Sequence, residues 1–537
     1  MHHRGMARKL SSSLETTYST LLDKTLALLC ALGSFVLVSQ NGFAIEGKSP
    51  SGAAVQAPGQ FDAIRGEIRA RVTKGEFPSF AIGVIQGNTV VWAETFGWAD
   101  REAHVAATPE TAYGLASLGK SITATALMTL VDQGKVGLDE AVAKIIQPDR
   151  LTTYEGTADG PTLRQLLNMT AGIPHGALTY TGPEAVTRIT EDQVLRNRAL
   201  VVFPPGQVFH YSNFSIAVAD RAIEKISGRQ FGDYLSRAVF QPLGMRHSFV
   251  AANTIADSKR AVRYDDEGKR IGSIYPFPRS SRGIYASLND LLAYASFHLQ
   301  RPRPGQARIL SDGAVDTLHN SRSAVPGAYI ALGLGSIDLQ NGARWIISDG
   351  QDMGVQSILS LIPSAGVAVI CLTNVTGDQA DELSFRVTDI LIPGFASQAK
   401  AFMKAHEEEY AAFKPSGDWI GEWRGAIKTS AGDLPITMNF EPDGDIKISL
   451  AEQYSTLLDK PLFGYGLLSG AFLAKLPLEE KPDHYHRVEL GLRRDRDRLY
   501  GFAFANFANE KGHFELPTYI ALQRVAHQSA GVSGHSP

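Results

Sequence analysis

The sequence predicts an α+β domain followed by an all-β domain. Three observations lead there. Strand-like runs cluster at two separated places, 79–96 and 344–374, with a helical middle between them, so the sheet is split along the chain and is not built of βαβ repeats. After a break at Pro415-Ser416-Gly417 the pattern changes to many short strands at hairpin spacing. The length, 537 residues, exceeds one ordinary domain.

The N-terminal segment is excluded from the fold. Thr25 to Val38 reads TLALLCALGSFVLV, preceded by Arg8, Lys9 and Lys24 and followed by Gly42-Phe43-Ala44. That is the layout of a secretory signal peptide over residues 1–44, shorter than the roughly 20 residues a membrane span needs. The expectation is export, to a periplasm or outside the cell; the alternative is an uncleaved anchor. Cys30 lies inside the run, but Leu28 and Leu29 precede it where a lipidated cysteine wants small residues. Cleavage leaves Cys371 as the one cysteine, so no intramolecular disulfide can form, and its surroundings, VAVICLTN, predict a buried core position.

Residues 45–58, rich in Gly, Ser, Ala and Pro, read as a flexible lead-in. The first domain is expected over 59–395. Phe61 to Val72 has helical apolar spacing. Ser79–Gln86 and Thr89–Phe96 flank Gly87-Asn88, a tight hairpin signal. Residues 112–300 are dominated by helical patterns and loops. Then RWIIS, VQSILSLI and GVAVICLT follow at short spacing, which favours antiparallel pairing. Residues 396–415 read as a helical connector. The second domain, 416–525, carries strand candidates at 421–428, 433–440, 444–450, 454–459, 466–475, 485–492, 498–505 and 513–523, which predict an eight-stranded barrel. Its opening Gly421-Glu422-Trp423 resembles the G-x-W start of lipocalin-like barrels. The tail, 526–537, reads as disordered.

Charge limits the partners. A formal net charge of −3 gives no general attraction to nucleic acid or anionic membrane, so a small molecule or short peptide is the expected partner. Contact with a membrane is expected only if the N-terminal segment stays uncleaved, and nothing in the sequence fixes an oligomeric state. His484 and His486 flank Tyr485 and share one strand face, but without a third ligand they predict a polar barrel face and no metal site. No metal or organic cofactor is called for.

Ser117-Leu118-Gly119-Lys120 precedes an apolar helical stretch, SITATALMTLVDQGK, that Gly134 is placed to end. The i, i+3 spacing sets Ser117 and Lys120 one turn apart on one face. A serine hydroxyl becomes a nucleophile when a base within reach takes its proton, and a lysine can be that base when burial or nearby positive charge lowers its pKa. Ser397-Gln398-Ala399-Lys400 has the same spacing but sits in the connector with no partner motif after it. Tyr211-Ser212-Asn213 supplies the partner for the first match: a tyrosine can pass a proton and an asparagine can hold an amide.

These residues make the chain similar to the serine hydrolases that include class C β-lactamases, D-alanyl-D-alanine carboxypeptidases, D-aminopeptidases and related esterases. The resemblance covers about 75–375 and adds LLNMTAGIP at 166–174, PPGQVFHYSN at 204–213, PLGM at 242–245 and RGIYASLNDLLAYASF at 282–297, all in the family's order. It implies a β-lactamase/penicillin-binding-protein-like antiparallel sheet with helices and a helical subdomain. It also implies Ser117 as nucleophile, Lys120 and Tyr211 as the catalytic proton-handling pair, and Asn213 as a substrate-orienting residue. The third motif departs from the family's K-T-G or H-x-G: here Ser348-Asp349-Gly350 stands, followed by Gln351. By resemblance these four line the substrate, with the N–H groups of Gln351 and Ser117 as the oxyanion hole. The missing cation weakens the case for a substrate carboxylate. The expected reaction is acyl transfer from an ester or amide to water, with an esterase ranked before a D-amino-acid peptidase and a β-lactamase. The rival from another class is a catalytically weakened ligand-binding or sensor protein.

Overall fold

The computed structural model describes residues 51–181, 191–251, 260–272, 274–478, 484–509 and 512–525. The segment read as a signal peptide, 1–44, and the tail read as disordered, 526–537, lie outside the described residues. The chain divides into two units, one running to Glu408 with 510–513, the other comprising 409–509 and 514–537. Among the described residues no helix is long and apolar enough to cross a membrane.

The first unit is built on one antiparallel sheet. Its main strands are β1 (Ser51–Val55), β2 (Ser79–Gln86), β3 (Thr89–Asp100), β4 (Gly335–Asp338), β5 (Arg344–Asp352), β6 (Val355–Ile362) and β7 (Val367–Thr373), with the short Val105–Ala106 added on β3. They lie in the order β1-β3-β2-β7-β6-β5-β4. The β2–β3 hairpin turns at Gly87, whose φ of 65° suits a residue without a Cβ, and pairs Gln86 with Thr89. The late strands join the early ones through the β7–β2 ladder, Val367↔Gln86 to Thr373↔Phe80. Every residue of β6 and β7 is buried, which is why both read as continuous apolar runs instead of alternating ones.

Helices cover both faces. On one lie α1 (Asp62–Thr73), α6 (Gln379–Leu391) and α7 (Phe395–Glu408). Ile64, Ile68, Trp92, Trp345, Ile358, Leu383 and Phe395 share that core. The Trp345 ring meets Phe385 and Phe395 edge-on at 5.5 and 5.1 Å. Glu94 is buried in this layer, and Arg65 of α1 grips it at 2.7 and 2.9 Å while Trp92 Nε1 donates at 3.0 Å. A buried carboxylate satisfied this way ties the helix to the sheet at one register. On the other face α5 (Leu288–His298) packs so closely that a Cβ on Gly83 would stand 3.0 Å from Leu288 and Leu292. The helix after the first motif, α2 (Gly119–Asp132), is buried on nearly every side, and Gly134 follows its end with φ 69°. α3 (Asn213–Ser227) ends on Gly228 in the left-handed region, φ 67°. The short Arg279–Arg282 forms α4.

Two sequence expectations are corrected. Within the stretch expected to be a flexible lead-in, 45–58, residues 51–55 form β1, an edge strand from Ser51↔Phe96 to Val55↔Ala93; residues 45–50 lie outside the described residues. The open edge of β3 offers backbone partners, and small residues can lie extended along it. His484 and His486 do not share a strand face. The strand begins only at His486, so the two-residue period does not hold: His484 is exposed, whereas His486 is buried against Phe507. Burial holds the His486 imidazole down at about 4. No group of three metal-ligating side chains occurs among the described residues.

The second unit is a curled antiparallel sheet. Its strands are β8 (Gly421–Thr429), β9 (Gly432–Phe440), β10 (Ile446–Leu450), β11 (Thr456–Leu457), β12 (Asp459–Gly464), β13 (Leu467–Ala474), β14 (His486–Asp495), β15 (Arg498–Asn509) and β16 (Gly512–Arg524). Each pairs with its neighbour in sequence, except that β11 and β12 are one bent stretch joined by Leu458, β11 on β10 and β12 on β13. β16 returns to β8. The sequence reading missed β12 because Lys460, at φ 47°, and Pro461 break the alternation, and the ladder skips from Asp459↔Ala471 to Leu462↔Ser469.

Candidate active site

Ser117 sits where the chain turns into α2 from a two-residue strand, Tyr113–Gly114, of a small separate sheet that also holds Phe249–Val250 and Ile284–Ala286. Leu115 N donates to Ile284 O at 2.9 Å, and Leu115 O accepts from Ser357 Oγ at 2.7 Å. Ala116 then takes φ 45°, a left-handed conformation that costs a residue with a Cβ about 1 kcal/mol or more. One turn of 3₁₀ helix, Ala116–Leu118, leads into α2. This sharp entry leaves Ser117 partly exposed while its neighbours are buried.

Two proton carriers meet the hydroxyl. Lys120 Nζ lies 2.8 Å from Ser117 Oγ, and the Tyr211 hydroxyl donates to the same oxygen at 2.8 Å. Lys120 Nζ lies 4.7 Å from the centre of the Tyr211 ring. The Y-S-N triplet divides its work. Tyr211 reaches Ser117. Ser212 caps α3 by accepting from Ser215 N at 3.0 Å, and donates to Pro174 O at 2.8 Å. Asn213 opens α3, 4% exposed, and its buried Oδ1 has no hydrogen-bond partner.

The electrostatics favour a neutral base. Lys120 is 2% exposed, and burial, assisted by the positive charge of Arg282, pushes its amine well below the usual lysine range; Asp349 and Asp352 pull the other way. Burial raises the Tyr211 phenol above its ordinary value, against the hydrogen bond to Ser117, so the phenol keeps its proton at neutral pH. An amine disposed to shed its proton and a protonated phenol on one hydroxyl are suited to accept the serine proton and return it to a leaving group.

Strand β5 forms the opposite wall. Gly350 is the point of contact: a Cβ there would fall 2.0 Å from Leu115 O and 2.8 Å from Ser117 N, so only glycine fits. Ser348 shares the Gly350 face and is buried. Asp349 and Gln351 alternate to the other face, where Gln351 Nε2 reaches Asp381 at 3.4 Å. Asp349 is open to solvent, yet protein surrounds it closely enough to raise its carboxyl, against the pull of Lys120. Burial together with Asp349 raises Asp381 further. The β4–β5 ladder runs from Gly335↔Ile347 to Asp338↔Arg344 and stops there. The outer edge of residues 348–352 therefore has no strand partner among the described residues.

Sequence reasoning missed a buried charge group beside this wall. Asp352 Oδ1 accepts from Arg282 Nη2 at 2.8 Å, and its Oδ2 lies 3.6 Å from Arg263 Nη1. Burial alone would raise this carboxyl, but Arg282 and Arg263 hold it below the usual range. The second S-x-x-K is a surface feature: Ser397 and Lys400 are exposed, and Ser397 Oγ donates to Gly394 O at 2.9 Å.

The sequence pattern described as Beta-lactamase matches residues 64–390, more than half of the chain. The chain belongs to the β-lactamase family. The family is one of serine hydrolases, and its pattern spans the whole Ser117–Lys120–Tyr211–Gly350 arrangement. Among curated proteins the chain is similar to Protein flp of Staphylococcus aureus strain MW2, 24% identical over 325 residues, 59% of this chain and 63% of that protein. It is also similar to unguisins hydrolase ungD' of Aspergillus campestris, 24% identical over 331 residues, 58% of this chain and 60% of that protein. The match therefore spans less than two thirds of either relative. Among solved structures the β-lactamase-family chain resembles the octameric penicillin-binding protein homologue from Pyrococcus abyssi, with 20% identity, a TM-score of 0.51 and coverage of 84% of this chain and 99% of that one. The crystal structure of SurE is also similar, with 19% identity, a TM-score of 0.55 and coverage of 87% of this chain and 99% of that one. At these identities the two structures speak for the fold.

Proposed function

We propose that the chain is an exported serine hydrolase that cleaves an ester or amide bond through an acyl-enzyme on Ser117. The observation that carries this reading is the double contact on Ser117 Oγ, Lys120 Nζ and Tyr211 OH each at 2.8 Å. Ser117 attacks the carbonyl carbon and its proton passes to Lys120. Collapse of the tetrahedral intermediate breaks the bond to the leaving group, which takes a proton by way of Tyr211. Water then repeats the sequence on the acyl-enzyme. The N–H groups of Ser117 and Gln351 are assigned to the oxyanion, in keeping with the packing of Gly350 on Ser117 N. A relative named as a hydrolase supports the reaction class. Intact-mass analysis after exposure to a fluorophosphonate, an activated ester and a β-lactam tests it. A single adduct mapping to Ser117, hydrolysed faster for the ester than for the lactam, is the expected result; an adduct elsewhere, or none, removes the reading.

The charge at the third motif favours a narrower one, an esterase-like preference for substrates without a carboxylate. Asp349 is solvent-open and its field reaches Lys120 and Tyr211, at the motif where the resemblance implies K-T-G or H-x-G. A like charge near a bound carboxylate opposes binding, and more strongly at low salt. Asp349→Asn and Asp349→Thr are expected to raise kcat/KM for a carboxylate-bearing ester by about tenfold relative to its neutral analogue. Equal changes on both substrates would make Asp349 a structural residue of β5.

A further inference from the structure

Two histidines that the hydrolytic reading does not use form a buried pair. His298 closes α5, and His319 lies in the last turn of the helix Asp312–Asn320. His298 Nδ1 and His319 Nε2 stand 2.9 Å apart, and the rings stack at 21° with their centres 5.2 Å apart. The two residues are 1% and 7% exposed. Tyr294 and Phe297 meet the His298 ring edge-on at 4.5 and 4.8 Å. His298 Nε2 is buried without a hydrogen-bond partner. A contact of this kind holds one hydrogen: one ring nitrogen donates and the other accepts, so the accepting ring is neutral. An added proton has no good place. Between the rings it would set two N–H groups against each other, and elsewhere it would leave a charge in an apolar enclosure.

The charged groups around the pair offer no relief. Arg344 of β5 acts on His319 as a further positive charge. Asp338 of β4 is taken up by Arg344, at 2.7 Å, and by Arg322. On the helix of His319, Asp316 accepts from Gln300 Nε2 at 3.0 Å and Asp312 pairs with Arg308 at 2.5 Å. Asp132 of α2 accepts from Ser311 N and Oγ at 2.8 and 2.6 Å. Asp290 of α5 accepts from His247 N and Ser248 Oγ, each at 2.7 Å. The helix that the pair holds also stands behind the catalytic lysine. Ser336 Oγ of β4 donates to His319 O at 2.6 Å, and Leu332 N donates to Leu318 O at 3.3 Å. Gly333, next in the chain, rests on α2, where a Cβ would stand 2.8 Å from Lys120 O. From the α5 side the Tyr294 hydroxyl lies 2.9 Å from Thr125 Oγ1 of α2.

We propose that the His298–His319 pair is an acid-sensitive latch: with one hydrogen shared it holds the helix Asp312–Asn320 against α5, and further protonation releases that helix together with the Leu332–Gly333 segment behind Lys120. Histidine suits this use because its ordinary value, about 6.5, lies next to physiological pH. Burial, and then the neighbouring His319, hold the His298 ring well below that value; burial, and then Arg344, hold His319 down at about 4. Both values are lower in the closed pair than in an opened chain, so the opened form takes up protons first. The latch is therefore at full strength above about pH 6.5 and weakens as the pH falls toward the closed-state values.

Amide hydrogen exchange in the full chain, read by mass spectrometry over 312–320 and corrected for the intrinsic effect of pH on exchange, tests the latch. The comparison is the double variant His298→Asn with His319→Gln, whose amides replace the two bonded nitrogens and do not titrate. From about pH 6.5 to pH 5 the opening constant of this helix is expected to rise roughly a hundredfold more in the wild type than in the variant, since each histidine adds up to about tenfold per pH unit. An equal pH dependence in the two chains overturns the proposal. Should the variant fail to fold, spectra of ¹⁵N-labelled histidine in the wild type decide: both rings are expected to be neutral at about pH 5.5, and a charged ring in the folded protein overturns the latch. The ratio of wild-type to variant kcat/KM for an activated ester should fall as the helix opens, because the acid limb of Lys120 is common to both chains and cancels. A ratio that stays flat while the helix opens overturns the link to the site. That last measurement alone rests on the acyl-enzyme reading, whose own failure would be a wild type without a Ser117 adduct.

Discussion

Ser117→Ala is expected to reduce kcat for an activated ester such as a nitrophenyl butyrate by roughly a thousandfold or more, because acylation and deacylation both run through that one oxygen. The variant should fold normally. Ser117 lies partly exposed, and its side chain makes contacts only with Lys120 and Tyr211 among the hydrogen bonds described. Ser397→Ala is the internal control. It alters an exposed serine of identical sequence spacing whose hydroxyl only caps a local turn, and it should leave turnover unchanged. Retention of most activity in Ser117→Ala would assign the chemistry to another residue.

The second large effect is expected at the base. Lys120→Arg should be about as damaging as Lys120→Ala, a loss on the order of a hundredfold to ten-thousandfold in kcat. Arginine preserves the positive charge but, with a pKa above about 12, cannot accept a proton near neutral pH. The pocket reinforces the point, since a site 2% exposed that disfavours an ammonium disfavours a permanent guanidinium still more. Measuring kcat and KM for both variants at pH 7 and pH 9 decides the matter. Near-normal turnover in Lys120→Arg would mean that the position supplies charge and not proton transfer.

Much of the first unit was legible because its signals are local. Gly87-Asn88 announces the hairpin, and the apolar runs of β6 and β7 announce buried central strands. The S-x-x-K spacing of Ser117 and Lys120 needs only one helical turn to become a contact. Tyr211 was legible through its own triplet, although 94 positions separate it from the hydroxyl it touches. The Arg282–Asp352 pair was hidden for the opposite reason. Its members stand 70 positions apart, and nothing in either local sequence distinguishes a buried pair from two solvated charges. The third motif was read as one lining surface, but strand alternation divides it, with Ser348 and Gly350 on one face and Asp349 and Gln351 on the other. β1 escaped notice because an edge strand of small residues needs only an open partner, here the rim of β3.

The buried amine also bears on the thermal stability of the whole unit. When the chain unfolds, Lys120 regains its ordinary affinity for a proton, so over the pH range between its folded and unfolded values the unfolded state binds more protons than the folded one. Stability therefore rises with pH through that range, and the penalty is largest at pH values below the folded value. Lys120→Met, which fills a similar volume without a titrating group, should melt at a higher temperature than the wild type. The gap should widen as the pH falls from about 10 toward neutrality. Differential scanning calorimetry across that range would detect it, and a gap independent of pH would assign the gain to packing. The reactive centre would then be a place where durability was given up, and the inactive variant the sturdier protein.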